Sequence, residues 1–277
     1  MITYSNEFQV IDTPEKAYVL GLIFSDGAIG NYDNSYAIHI SQHESEEYLL
    51  DMIAETFPFF KKSISTCTPQ VRVLSCNKKS LYDDLLYWGV LPQKSNENRF
   101  NLRFPSIPQE LQSHFIRGYF DGDGSVYKQK LGNTKFEIGG TCFYMITDLI
   151  KILYDNGIDV NIRCKHAGEG LRTIDFYVLY ASSDKVSKKF AEYIYRDCGD
   201  LYMKRKYDKL NYIPDYHKPE SPVCPICGGN NTLRLGYRQQ KTRLVLRAKC
   251  KDCNKQFSIT APVSSNINSG EDELLED

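Results

Sequence analysis

The chain has 277 residues, of which 42% are hydrophobic and 25% are charged, and its formal net charge is -1. This composition supplies enough apolar side chains for a folded core and excludes a chain that is disordered throughout. No segment approaches the ~20 consecutive apolar residues of a membrane-spanning helix, and the N-terminus lacks the order of a signal peptide. We therefore expect a cytoplasmic protein with no membrane partner.

The net charge is unevenly distributed along the chain. Residues 224–257 carry a net charge of +7, residues 261–277 carry -5, and residues 1–223 carry -3. The total charge gives no sign of a nucleic-acid partner, but the basic segment has the excess of lysine and arginine that a phosphate backbone attracts. The charges divide the chain into a near-neutral body, a basic module and an acidic tail.

The first predicted helix begins near Pro14. Thr13 has the side chain of an N-cap, and proline is well suited to the first helical position. Apolar residues that include Ala17 and Phe24 mark one face of the helix, and Gly27 provides a stop signal.

The body contains an internal repeat. Residues 18–29 (YVLGLIFSDGAI) and 115–126 (FIRGYFDGDGSV) align at an offset of 97, which places Gly21 on Gly118 and Asp26 on Asp123. The segments that follow also match in outline, and each reads as helix, strand pair, helix, strand pair, helix. The repeat predicts an α+β body made of two αββαββα halves.

The predicted strands offer one polar face. Residues 161–165 alternate, with Asn161, Arg163 and Lys165 on one side and Ile162 and Cys164 on the other. A sheet packed on helices through one face presents such residues outward, where they can reach phosphates and base edges or remain a solvated surface. The candidate DNA-contacting residues of this face are Gln70, Arg72, Lys128, Lys130, Arg163, Lys165, Arg172 and Tyr177.

Small residues recur every four positions in both repeat helices. They are Ala17, Gly21 and Ser25 in the first helix, and in the second helix His114 is followed by Gly118 and Gly122. Such ridges let two helix backbones approach more closely than the usual ~8 to 10 Å. We expect the two helices to lie side by side, so that Asp26 and Asp123 emerge together at their C-terminal ends.

Two carboxylates at that place need a counter-charge. Each lies at the negative end of a helix dipole, and like charges ~4 Å apart repel by about 4 kcal/mol at an effective dielectric near 20. A divalent cation with oxygen ligands, Mg²⁺ or Mn²⁺, removes both penalties and suits phosphodiester hydrolysis. The alternative is that both segments are only helix-ending turns. A calcium loop beginning at Asp121 is excluded, because Val126 and Gly132 occupy positions that require glycine and glutamate.

Residues 19–27 (VLGLIFSDG) and 116–124 (IRGYFDGDG) resemble the two motifs of the LAGLIDADG homing endonucleases in their single-chain form. The similarity covers about residues 10–212. It implies that the motif helices form the interface between the halves and that two curved sheets straddle double-stranded DNA as a saddle. It also implies that the acid ending each helix binds catalytic divalent ions.

The resemblance assigns roles to individual residues. Asp26 and Asp123 match the metal ligands, and Lys94 and Lys206 match the basic residues near the scissile phosphates, where Lys204 and Arg205 compete with Lys206. Gln42 matches a water-positioning polar residue, but Gly140 stands at the corresponding place of the second half. This departure predicts unequal cutting of the two strands, or cutting of one strand only.

The basic module contains two CxxC pairs separated by 22 residues. Four thiolates on two tight turns are the ligands of a structural zinc ion, Zn²⁺, so we expect a zinc ribbon with ligands Cys224, Cys227, Cys250 and Cys253. The five remaining cysteines lack metal spacing and are expected to be buried thiols. The ribbon is expected to contact DNA, with protein docking as the alternative. Its candidate DNA-binding residues are Arg238, Lys241, Arg243 and Arg247.

The predicted domains are a first half (1–104), a second half (105–212), a linker (213–223), the ribbon (224–260) and an acidic tail (261–277). The leading functional hypothesis is a monomeric, site-specific homing-type endonuclease that makes metal-dependent double-strand cuts at a long asymmetric DNA site. The alternative hypothesis is a non-catalytic nucleic-acid-binding protein on the same scaffold, an RNA splicing maturase or a transcription regulator.

Overall fold

The computed structural model describes residues 8–32, 35–95, 97–98, 100–129, 133–170, 172–211, 221–240 and 243–260. The chain divides into two compact units, Met1–Tyr216 and His217–Asp277. The predicted acidic tail and most of the predicted linker lie outside the described residues. Within the described ranges, no helix has the length and apolar character needed to cross a membrane.

The first unit repeats one order of helices and strands. Its first half comprises α1 (Pro14–Asp26), β1 (Gly27–Tyr32), β2 (Ser35–His43), α2 (Glu47–Thr56), β3 (Lys61–Ile64), β4 (Val71–Cys76) and α3 (Lys79–Tyr87). Its second half comprises α4 (Gln112–Asp123), β5 (Gly124–Lys128), β6 (Thr134–Gly140), α5 (Phe143–Asp155), β7 (Asn161–Lys165), β8 (Phe176–Ala181) and α6 (Asp184–Tyr195), followed by α7 (Lys204–Asn211). The predicted αββαββα order is confirmed in both halves.

The two sheets share one topology. Their strand orders are β1-β2-β4-β3 and β5-β6-β8-β7, and every pairing is antiparallel. Gly27 pairs with Ile40 in the first sheet, and Gly124 pairs with Ile138 in the second. The offset between the halves is therefore 97 in the motif helices and 98 in the second strand of each sheet.

Helices α1 and α4 pack through their backbones. A Cβ atom on Gly21 would overlap the carbonyl oxygen of Phe115, and one on Gly118 would overlap that of Tyr18. Phe115 is the repeat equivalent of Tyr18, so each glycine contacts the same position of the opposite half. The predicted close approach of the two ridges is confirmed at this crossing, which lies within a continuous buried core.

Local contacts determine where α1 begins and ends. The Oγ1 of Thr13 accepts a hydrogen bond from the amide of Lys16 at 3.3 Å, as expected for an N-cap. Gly27 does not adopt the left-handed conformation of a glycine stop, because its φ is -83° and its backbone already belongs to β1. Glycine is needed there because a Cβ atom would lie 2.6 Å from the carbonyl oxygen of Ile23.

The second unit holds a three-stranded antiparallel sheet in the order β11-β10-β9. The strands are β9 (Thr232–Gln240), β10 (Arg243–Cys250) and β11 (Gln256–Thr260). Val245, Leu246 and Ala248 of the central strand are its buried apolar residues. Such a short sheet has little apolar area to bury, which is consistent with a need for a metal.

Candidate active site

The two repeat acids lie together where α1 and α4 end. Asp26 is the last residue of α1, and Asp123 is the last residue of α4. A Cβ atom on Gly122 would lie 3.0 Å from Cγ of Asp26, so the Asp26 carboxylate rests against the turn that carries Asp123. The structure therefore brings together the two carboxylates that the repeat singled out.

Gln42 extends from β2 to the first carboxylate. Its Nε2 donates a hydrogen bond to Oδ2 of Asp26, and its side chain is buried. Desolvation raises the pKa of Asp26, while the hydrogen bond from Gln42 and the nearby lysines oppose this rise. Gln42 thus orients the acid and favours its charged form.

The pKa of Asp123 is raised more strongly than that of Asp26. Desolvation by the surrounding protein, together with the Asp26 carboxylate, raises the pKa of Asp123 to about 7, although one side of the residue is open to solvent. The Tyr119 side chain lies close enough to Asp123 to lower the pKa of that acid, and burial raises the pKa of the tyrosine, so its hydroxyl stays protonated. Sequence reasoning missed Tyr119, although its spacing of four residues from Asp123 places both on one helix face.

The two predicted lysines occupy different environments. Lys94 is half-buried, and its Nζ donates to the carbonyl oxygen of Gly27. Lys206 is fully buried, and its Nζ donates to three carbonyl oxygens at the end of α4, those of Phe120 (2.8 Å), Asp121 (2.7 Å) and Gly122 (3.3 Å). All three donors of this ammonium group are therefore engaged with backbone.

The lysines act across the two halves. Among the lysines, Lys94 lowers the pKa of Asp123 most strongly, and Lys206 does so for Asp26. Burial in turn lowers the pKa of Lys94, and that of Lys206 to about 8. Each half thus supplies a cation to the carboxylate of the other half.

The comparisons with known proteins follow this geometry. Residues 110–195 match the LAGLIDADG-like domain. This LAGLIDADG-like domain spans α4 to α6, so the resemblance predicted from the motifs is confirmed for the second half. The comparison with curated proteins gives no match.

Similar solved structures include variants of the homing endonuclease I-DmoI (19% identity, 65% of this chain, 88% of that chain, TM-score 0.45). They also include the meganuclease I-AabMI bound to uncleaved DNA (14%, 73%, 89%, TM-score 0.48) and the homing endonuclease I-SmaMI bound to cleaved DNA (12%, 73%, 88%, TM-score 0.47).

A buried polar network lies behind the site. Oδ2 of Asp121 accepts hydrogen bonds from the Tyr18 hydroxyl and the Met203 amide, both at 2.8 Å. Burial raises the pKa of Asp121 to about 6 against the opposing charge of Lys206. This network ties α1 and the segment before α7 to the end of α4.

Arg117 forms a second part of this network. Its fully buried guanidinium donates to the carbonyl oxygens of Leu201 (2.9 Å) and Ile194 (3.0 Å) and lies 5.0 Å from the ring centre of Tyr18. His114 lies beside it, with Nδ1 2.7 Å from the guanidinium. Arg117 and His114 are both buried, and their contacts support the helix that carries Asp123.

Several predicted DNA-contacting residues lie on the helix side of their sheets. Side chains alternate along β4, and Arg72 shares its face with buried Leu74 and forms ion pairs with Glu44 and Glu47, both at 3.1 Å. By the same alternation, Lys128 shares the face of Val126, and Tyr177 packs on Phe143 of α5 with ring centres 5.1 Å apart. The prediction of an outward position was wrong for Arg72 and Tyr177, because a shift of one residue in a strand exchanges the faces, whereas Lys128 is exposed at the end of β5.

The remaining predictions for this face have mixed outcomes. Arg163 and Lys165 lie on the outer face of the second sheet, Gln70 and Arg172 lie in exposed loops, and Lys130 lies outside the described residues. Ile162, predicted to face the core, is 43% exposed, because β7 is the edge strand.

The outer face of the second sheet carries a charged and aromatic cluster, of which the sequence singled out only Arg163. Glu137 pairs with Lys135 at 2.6 Å and Arg163 at 2.5 Å, and both cations lie over the ring of Tyr180. Lys135 also lies 5.6 Å from the ring centre of Tyr127. Two cations share one acid, so this group keeps a net positive charge.

The four cysteines of the second unit form a metal-binding arrangement. Their sulfur atoms all lie within 4.8 Å of one another, with Cys224 to Cys253 at 3.7 Å and Cys227 to Cys250 at 3.6 Å. Tetrahedral Zn²⁺ with bonds of about 2.3 Å requires sulfur atoms roughly 3.8 Å apart. The sulfur geometry therefore fits a zinc ion, as the CxxC spacing predicted.

The ribbon residues predicted to bind DNA are only partly described. Arg247 on β10 is exposed, with its guanidinium 3.4 Å from Oε1 of Gln256. Arg238 and Arg243 lie on β9 and β10, but their side chains, and the whole of Lys241, are outside the described residues.

The five other cysteines do not share one environment. Cys76 and Cys142 are buried as expected, whereas Cys67 is exposed and Cys198 is half-buried. Cys164 lies with His166 and Asp175 in a second group whose possible ligand atoms are within 4.8 Å of one another. Nδ1 of His166 is 3.7 Å from a carboxylate oxygen of Asp175, so the polar contacts at the end of the β7–β8 hairpin account for this group without a metal.

Proposed function

We propose that this protein is a homing-type DNA endonuclease that hydrolyses phosphodiester bonds with divalent metal ions. The observation that carries the proposal is the convergence of Asp26 and Asp123 at the ends of two helices packed backbone to backbone. A carboxylate whose pKa is raised to about 7 beside a second acid is costly for folding unless a cation neutralises the pair. The match to the LAGLIDADG-like domain supports the same conclusion.

The acid pair has the chemistry of a magnesium or manganese site. Hard divalent cations prefer carboxylate and carbonyl oxygens, and both are present where α1 and α4 end. Asp26 and Asp123 would hold the metal, which when bound would activate water and stabilise the departing oxygen of the phosphodiester. The hydrogen bond from Gln42 favours the charged form of Asp26, which is the form that binds a metal.

Lys94 and Lys206 have different roles in this proposal. Lys94 has one donor on the Gly27 carbonyl, which leaves two that can meet a phosphate near the acids. Lys206 neutralises the negative end of α4 through three carbonyl contacts and stabilises the charged form of Asp26 from behind the site. In this proposal Lys94 contacts DNA and Lys206 acts through the helix.

Double-stranded DNA is the substrate that fits the rest of the chain. The cluster of Lys135, Arg163 and Tyr180 offers cations and an aromatic ring on an outer sheet face. The cysteine-rich unit adds a net charge of +7 over residues 224–257 and would be held by structural zinc. A monomer with two unlike halves suits a long asymmetric site.

The ribbon's role in this proposal has its own test. A chain truncated after residue 212 should bind DNA about tenfold to a hundredfold more weakly at moderate salt, with a shallower salt dependence, because fewer phosphates are neutralised. Cutting should persist at raised protein concentration. An unchanged affinity and salt slope would show that the ribbon does not contact DNA.

The proposal is tested on the uninterrupted allele of the locus that carries the gene, meaning the flanking sequences joined without the insert. Cutting should require Mg²⁺ or Mn²⁺ and stop with EDTA. Asp26→Asn and Asp123→Asn should each lose cleavage and retain binding. Asp83→Asn is the matched control, since Asp83 is an exposed helical acid paired only with Lys79 in the described contacts. Cutting by the double Asp26→Asn/Asp123→Asn variant would overturn the assignment.

One observation favours a second candidate, a non-catalytic nucleic-acid-binding protein such as a splicing maturase or a transcription regulator. Gly140 has no side chain opposite Gln42, and Lys206 is committed to backbone, so the second half offers fewer groups to a substrate. Under this candidate, wild-type protein binds nucleic acid and never cuts it in Mg²⁺ or Mn²⁺.

A further inference from the structure

In the first half, the Gln42 side chain orients Asp26. The equivalent position of the second half is Gly140, which has no side chain to orient Asp123. Gln42 lies two residues beyond Ile40, the partner of Gly27, and Gly140 lies two residues beyond Ile138, the partner of Gly124. The two positions are therefore equivalent in register. Gln42 donates to Asp26, and glycine at 140 has nothing to donate to Asp123.

The space at Gly140 is taken by a tyrosine hydroxyl. A Cβ atom on Gly140 would lie 3.4 Å from the hydroxyl oxygen of Tyr119. Tyr119 precedes Asp123 by one helical turn on α4, so the two side chains share one helix face, and the tyrosine lowers the pKa of the acid. A glutamine at position 140 would have to occupy the volume that this hydroxyl already fills.

The first half shows the opposite arrangement. The repeat equivalent of Tyr119 is Leu22, a fully buried apolar residue that cannot donate to Asp26. Each half therefore contains one uncharged donor to its acid, supplied by the sheet in the first half and by the motif helix in the second.

We propose that Tyr119 is the positioning residue of the second half and orients Asp123 as Gln42 orients Asp26. This inference rests on the proposed nuclease function and deepens it. The two strand cuts would then depend on different side chains, and the glycine at 140 would leave the tyrosine hydroxyl room beside Asp123.

The test measures the cutting of each strand separately on a duplex labelled at both 5′ ends. Tyr119→Phe should slow the cut of one strand about tenfold, the usual scale for loss of an outer partner of a metal ligand, while the other strand changes less than about threefold. Gln42→Leu should produce the opposite pattern. Tyr195→Phe is the matched control, since that buried hydroxyl has no hydrogen-bond partner among the described residues.

A rescue variant separates positioning from folding. Tyr119→Phe/Gly140→Gln removes the hydroxyl and restores an amide donor in the vacated space, so it should recover most of the lost rate on the affected strand. Equal slowing of both strands by Tyr119→Phe, or no slowing of either, would overturn the proposal.

A binding measurement keeps this inference distinct from the proposed function. Tyr119→Phe should weaken Mn²⁺ binding about tenfold by calorimetry, and Tyr195→Phe should not change it. If the wild-type protein never cuts DNA, the nuclease function fails, and the Mn²⁺ result alone decides Tyr119. Unchanged Mn²⁺ affinity in Tyr119→Phe would then reject its role.

Discussion

Arg205 and Glu46 form an ion pair that joins the two halves, with Nε of Arg205 2.7 Å from Oε1 of Glu46. Glu46 is almost completely buried, and its second oxygen accepts from the Tyr48 hydroxyl at 3.0 Å. That hydroxyl in turn accepts from the amide of Lys204 at 2.7 Å. These contacts join the start of α7 to the start of α2. Arg205 immediately precedes Lys206 in the chain.

Breaking this connection should destabilise the first unit. Arg205→Met leaves a buried carboxylate with only the tyrosine, and we expect a loss of about 1 to 2 kcal/mol in the free energy of unfolding, reduced by the exposure of Arg205. Urea denaturation of this variant, of Glu46→Gln and of the double variant measures the coupling, expected near 1 kcal/mol. A coupling of zero would mean that the pair does not join the halves energetically.

Alanine at Gly21 or Gly118 should be far more damaging than helix propensity predicts. Alanine normally stabilises a helix by about 1 kcal/mol over glycine, but here the added Cβ overlaps a backbone carbonyl of the opposite helix. We expect each variant to lose about 3 kcal/mol or more on urea denaturation, as in severe overpacking. Gly140→Ala is the comparison, since its Cβ has ordinary contacts, and equal losses at all three sites would contradict this explanation.

The stability contributed by His114 should depend on pH. Burial, and next the charge of Arg117, lower its pKa from 6.5 to about 4. The unfolded chain then binds a proton between these values that the folded chain does not, so stability falls as pH drops from about 6.5 towards 4. Between pH 7 and pH 5 the wild type should lose up to about 2 kcal/mol that His114→Gln does not lose. Parallel pH dependences of unfolding in the two proteins would exclude this role.

Zinc removal should unfold the second unit selectively. The four cysteines lie together beside a sheet whose apolar core is only a few residues, so a bound metal would supply much of its folding free energy. Protein reconstituted with Co²⁺ should show the intense thiolate charge-transfer bands of a tetrahedral four-cysteine site, and Cys250→Ser should alter them. The matched control is Cys67→Ser, an exposed cysteine outside the cluster. A spectrum of octahedral, oxygen-bound Co²⁺ would contradict the site.

The repeat made much of the fold predictable. Two segments aligned at one offset placed Asp26 and Asp123 in equivalent positions, and the small residues beside them predicted the helix crossing. Arg72 and Tyr177 were placed on the wrong face, because strand register was not known and a one-residue shift exchanges the faces. Arg205 and Glu46 are 159 positions apart, a separation at which local patterns carry no information.

The lysines illustrate a different limit. The family resemblance singled out Lys94 and Lys206 as basic residues near the scissile phosphates, but it could not show that Lys206 is buried. Tyr119 was missed because its repeat partner is leucine, so the comparison of the halves did not single out the tyrosine that we propose takes the place of Gln42.

The crossing of α1 and α4 constrains how the halves could be recombined. Gly21 and Gly118 each fit against the backbone of the other half, whereas the outer sheet faces make no such reciprocal demand. A chimaera that joins one half to a foreign half should therefore assemble when both partners keep glycine at the crossing, whatever residues their sheets display. If the proposed function is correct, target preference could then be exchanged one half at a time, and the crossing of α1 and α4 would stay unchanged.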